Sequence, residues 1–176
     1  MIPFYDSTDP AALIPTASFT HVAGYANGRF AWPENQFARF KRFIKIGVFP
    51  GQPEQAHDAR VLDIERFDAG VSDFPPFARV RHSLGHDDAL AYCSLSLVPD
   101  LVDAMDADQS TPWGLWVAWW WGRPHPPTAA DIAAELRALY GLTLPPGRLR
   151  ACQWQPGGPF DSSVWYTRDT FSRVGK

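Results

Sequence analysis

The chain is poor in the features that assign a function at sight. Two cysteines in 176 residues exclude a disulfide-built scaffold and a Cys-rich zinc module. Cys93 and Cys152 each lie in an apolar segment with no Cys or His at ligand spacing, so both are expected as buried thiols. The five histidines give one local pair, His82 and His86 in "HSLGH", and Gly85 weakens the helix that would align them on a metal. Positive charge is also scarce. Sixteen basic against 19 acidic residues leave a formal net charge of -3, which gives no field for a phosphate backbone and argues against nucleic acid. The longest apolar run, "LWVAWWW", is too short to span a bilayer. The start "MIPFYDSTDP" has neither the basic nor the apolar region of an export signal, so synthesis in the cytoplasm is expected, without a membrane partner.

A composition of 45% hydrophobic and 20% charged residues is that of a folded domain, read as one unit over 1–176. Short runs rich in Val, Ile and aromatics alternate with polar or helix-forming segments, a rhythm of parallel strands and crossovers. Strand candidates are 2–6, 21–26, 43–49, 60–65, 89–94, 115–120, 149–154 and 161–165. Eight of them invite closure into a barrel. Only "LVPDLVDAMDA" and "TAADIAAELRALYG" read as convincing helices, the second with Thr128 and Gly141 as its caps. The length falls below the roughly 250 residues of a standard (β/α)8 barrel. The expected fold is therefore α/β: a small, trimmed or irregular (β/α)8 TIM-like barrel.

The stretch "VLDIE" carries the chemistry. Alternation along a strand puts Asp63 and Glu65 on one face, with Cα atoms about 6.6 Å apart. Under a layer of helices two carboxylates would each lose several kcal/mol of solvation, so the barrel mouth at the strand's C-terminal end is the cheaper place. Asp6 ends the first strand candidate and Asp161 opens the last. Closure makes those strands neighbours, so four carboxylates are expected to converge, with raised pKa values or a neutralising metal.

Eight tryptophans add a second signal. In "WGLWVAWWW", Trp116, Ala118 and Trp120 share one face, and rings beside carboxylates suit a saccharide, whose C–H faces stack on aromatics while its hydroxyls bond to acids. Tyr25, near the end of the second strand candidate, joins this set.

In these motifs the chain resembles the glycoside hydrolase family 25 lysozymes, the Chalaropsis-type muramidases, and their relatives in actinobacteria and their phages. The likeness rests on Asp6 and Thr8 in "FYDST", Asp63 and Glu65 in "VLDIE", Tyr92 with Cys93, "LWVAW" with Trp120 where tyrosine is usual, and Trp154 and Gln155 followed by Asp161. It runs over nearly the whole chain in the same order. It implies cleavage of peptidoglycan glycan strands with Glu65 as general acid, Asp63 positioning the reacting group, and Asp6 and Asp161 completing the cleft. Trp116, Trp120, Tyr92, Trp154, Gln155 and Tyr25 are together the candidate substrate-binding residues, and no cofactor or metal is implied. The protein would act at the cell wall after release, or within a phage virion.

Two other classes fit the same residues. One is a non-catalytic virion component, of capsid or tail, or a cell-wall glycan-binding module that keeps the barrel and contacts other virion subunits. The lesser is a metal-dependent hydrolase holding Mg²⁺ or Ca²⁺ between Asp6, Asp63, Glu65 and Asp161.

Overall fold

The computed structural model describes residues 1–13, 21–106, 110–155, 159–166 and 172–173. Eight strands close into a barrel: β1 (Ile2–Asp6), β2 (His21–Tyr25), β3 (Arg42–Gly47), β4 (Val61–Ile64), β5 (Ala89–Ser94), β6 (Trp113–Ala118), β7 (Leu149–Gln155) and β8 (Asp161–Trp165). Neighbours from β1 to β7 are parallel and in chain order, and β8 closes the ring between β7 and β1. The expected succession of parallel strands fails at β8, which is antiparallel to both neighbours. The cause is length, because a parallel crossover needs a dozen or more residues and only 156–160 separate the two strands. A short ninth strand, β9 (Ser172–Arg173), pairs antiparallel with the start of β3.

Helices cover part of this barrel. α1 (Glu34–Phe37) is a single turn, and α2 (Phe74–Ser83), α3 (Val98–Asp106) and α4 (Ala129–Tyr140) are longer. α4 starts at Thr128, whose hydroxyl accepts from the Asp131 N–H while Asp131 returns the bond to the Thr128 N–H, and it stops at Gly141 with φ 67°. α2 is a helix that the sequence did not announce. Pro75 and Pro76 stand in its first turn, where the backbone N–H groups have no helical partner to lose.

Strand alternation sorts the side chains into two cores. Outward-facing Leu62, Ile64, Ala91, Cys93, Leu115, Val117 and Cys152 pack with Phe74, Phe77, Leu101, Met105, Ile132 and Leu136 of the helices. Inward-facing Phe4, Ala23, Ile44, Ile46, Val61, Leu90, Tyr92, Trp116, Ala151 and Trp165 fill the lumen. Both cysteines are free and buried, and burial pushes each thiol up to about 12, so neither is a ready nucleophile. Outside β1–β3 the long helix is replaced by an aromatic layer of Trp32, Phe37 and Phe40 with Leu13 and Val22. Trp32 lies directly on Gly24, where a Cβ would meet its ring at 2.5 Å.

Candidate active site at the C-terminal mouth of the barrel

The inward stripe of most strands changes character along its length. Phe4 is followed two residues on by Asp6, Ala23 by Tyr25, Val61 by Asp63, Leu90 by Tyr92 and Ala151 by Gln153. On β8 the order is reversed: Asp161 and Ser163 come first and Trp165 last. Its antiparallel direction brings that reversed order into line, and Asp161 stands directly opposite Asp6. In a parallel β8 the same aspartate would have opened at the far mouth. The lumen is thus apolar below and acidic above, with Asp6, Asp63, Glu65 and Asp161 at one end.

Gln153 ties the first and last strands together. Its amide donates to Asp161 Oδ2 at 2.9 Å and Asp6 Oδ2 at 3.3 Å, while its carbonyl oxygen accepts from the Tyr92 hydroxyl. The Ser163 hydroxyl donates to Asp6 Oδ1 at 3.4 Å. Tyr25 donates to Asp63 Oδ2 at 3.4 Å, and Asp63 Oδ1 is buried with no partner among the described residues. Glu65 lies just past β4, exposed, and begins a tight turn that the Asp68 N–H closes onto its carbonyl at 3.1 Å. The third residue of that turn, Phe67, has φ 80°, in the position usually given to glycine.

Titration here is governed by burial and by like charge. Burial first, then Asp161, hold the Asp6 carboxyl well above its ordinary range against the Ser163 bond. Asp63 is pushed up to about 8 by burial and by Glu65 and Asp68, partly offset by the Tyr25 hydroxyl. Glu65 is raised by partial burial and Asp68, with the Tyr92 hydroxyl opposing. Among the described residues no lysine or arginine forms an ion pair with Asp6, Asp63 or Glu65. Near neutral pH the protonated form of Asp63 is therefore favoured, beside an open cavity. That cavity, of about 390 Å³, is lined by Tyr25, Asn27, Arg29, Phe30, Asp63, Glu65, Arg66, Phe67 and Asp68 among others.

The aromatic expectations fare differently. Tyr25 and Tyr92 are at the mouth, but Trp116 is fully buried below it, packed edge-on against Phe4 and Tyr92 with centroids 4.9 Å from each. It fills the lumen and does not line the cavity. Trp120 lies beyond the end of β6, 66% exposed, and outside the cavity lining. Trp154 faces outward onto the helix-side core, and Gln155 is exposed at the strand's last position. Trp154 has the parity opposite to the inward Ala151 and Gln153, and a bulge between Gln153 and Gln155 breaks the alternation beyond them.

Gln153, Ser163 and Asp68 were not foreseen from sequence. For Gln153 the signal was present: an amide at the parity of the apolar Ala151 two residues before it. The cation set of the metal-dependent alternative is also rearranged. One carboxylate oxygen each from Asp63, Glu65 and Asp68 come within 4.8 Å of one another, so Asp68 takes the place expected for Asp6 and Asp161. Comparison with protein-family models, curated proteins and solved structures found no match to this chain.

Proposed function

We propose that this chain is a glycoside hydrolase-like protein that cleaves peptidoglycan glycan strands in the manner of a muramidase, on a reduced (β/α)8-type barrel. The observation that carries the reading is the convergence of Asp6, Asp63, Glu65 and Asp161 at one mouth, next to a cavity that opens on Asp63 and Glu65. Glycoside hydrolysis needs a carboxylic acid to protonate the leaving oxygen and carboxylate charge facing the oxocarbenium-like centre. Glu65 is the accessible acid with a raised pKa, so it donates the proton. Asp63, buried beneath it, holds its own proton and keeps a second full charge off the pair. Asp6 and Asp161, fixed by Gln153 across the lumen, complete the acidic cluster behind them.

Clearing of purified actinobacterial cell walls tests this. Glu65→Gln keeps shape but has no proton to give, so the rate should fall roughly 10² to 10⁴-fold while glycan still binds. Wild-type activity should decline as pH rises through the raised pKa of Glu65, because the donating form is the protonated one, and EDTA should leave the rate unchanged. Lysis that survives Glu65→Gln sinks the acid assignment, and EDTA-sensitive lysis moves the chemistry to a cation on Asp63, Glu65 and Asp68. A folded protein that binds walls without clearing them is a glycan-binding or virion module.

A further inference from the structure

The cavity over Asp63 and Glu65 is bordered by two copies of one dipeptide. Arg29–Phe30 follows β2 and Arg66–Phe67 follows β4, and all four residues line it. In each pair the guanidinium lies over the ring of the next residue, 4.6 Å from the Phe30 centroid and 4.7 Å from that of Phe67. Phe30 is 40% exposed and Phe67 87%. Among the described residues Phe67 is also the one non-glycine with positive φ. An apolar ring held in water on a strained backbone adds little burial to the fold, and such outliers gather where ligands are held.

The arginines are likewise unspent. Neither forms an ion pair among the described residues, although acids line the same cavity. The carboxyls of Asp63 and Glu65 are shifted by burial, by other acids and by tyrosine hydroxyls, with no guanidinium among the causes. Two forks of positive charge therefore stand at the border of an acidic floor without neutralising it.

We propose that the two Arg–Phe pairs are the specificity element of this site, taking a glycan that carries carboxylate groups in preference to a neutral one. The rings of Phe30 and Phe67 meet the C–H faces of a sugar, and the guanidiniums of Arg29 and Arg66 take a carboxylate substituent through paired N–H donors. A singly charged carboxylate suits the place better than a phosphate, because any acid below that does ionise repels a double charge more than a single one. This inference rests on the glycan-binding reading of the site and adds the charge of its ligand.

Calorimetric titration tests it with three probes: a disaccharide-peptide fragment of peptidoglycan with free carboxylates, the same fragment with its carboxylates amidated, and neutral chitotetraose. The wild type should bind the acid form about tenfold more tightly than the amide, a difference of one favourable charge-assisted contact, and about 0.5 M salt should shrink that preference. The double variant Arg29→Gln/Arg66→Gln should lose the preference and keep its affinity for the amide and for chitotetraose. Phe67→Ala should weaken all three probes alike by a few fold. Equal wild-type affinity for acid and amide, or a preference that survives in the double variant, overturns the inference while leaving the glycan reading standing. Failure of all three probes to bind the folded wild type overturns both.

Discussion

The two ends of the barrel handle buried charge in opposite ways. At the end where the parallel strands begin, Arg60 and Arg81 are both buried, and both are matched by Asp88, at 3.2 Å and 2.7 Å. Arg81 also donates to the carbonyls of Ala56 and Ala59, and Arg60 lies over the Trp165 ring, 5.7 Å from its centroid. At the other end acids gather round acids. Pairing closes the first end and makes it structure. Like charge at the second end costs stability, and perturbed carboxyls of this kind cluster at functional sites.

This contrast breaks most sharply if one acid is removed from each end. Asp88→Asn leaves two buried guanidiniums without their counter-charge and should destabilise the protein by about 3 kcal/mol, the usual scale for stripping one partner from a buried pair. Chemical denaturation at neutral pH measures it, and a loss below about 1 kcal/mol would make that end as dispensable as a surface ion pair.

Asp63→Asn at the acidic end should do the reverse. A carboxyl held at about 8 in the folded state and near 4 when unfolded binds its proton more tightly when folded. Its contribution is full below the unfolded pKa and is lost as pH rises from about 4 to about 8. Wild-type stability should therefore fall across that window, and Asp63→Asn should flatten the slope and be the more stable protein at pH about 8. Thermal melts of both proteins at several pH values decide it, and parallel profiles would show that Asp63 titrates as an ordinary carboxylate.

The smallest effect concerns the turn beside Glu65. Phe67→Gly removes a side chain from a left-handed position and an exposed ring from water, and should stabilise by about 1 kcal/mol. The same change should weaken glycan binding. A variant that loses stability would mean that the ring packs on something in solution.

How much of this was legible follows from which forces are local. β1, β5 and β8 appear at the residues the sequence marks, 2–6, 89–94 and 161–165, because a short run rich in apolar and aromatic residues between polar segments is a local signal. The inward direction of Asp63 was legible because a carboxylate under the helices would lose its solvation, whereas the mouth of the lumen is open. The roles given to Trp116, Trp154 and Gln155 were not, because depth along the lumen and a bulge in β7 are properties of pairing between strands. α2 was hidden by its own prolines, whose meaning depends on where the helix begins. Gln153 could have been found by counting parity from Ala151. Asp68 could not, because its approach to Glu65 depends on a turn that places phenylalanine where glycine is the expected signal.

The direction of β8 has a consequence in time. Asp6 ends the first barrel strand and Asp161 opens the last, with six strands made between them, yet they are cross-strand partners. Until β8 arrives, β1 and β7 are open edges and Asp6 lacks both the neighbour that raises its pKa and the Ser163 hydroxyl that restrains it. Closing the wall and assembling the acid cluster are one event, so a chain cut before residue 161 lacks both the closed barrel and the full set of acids.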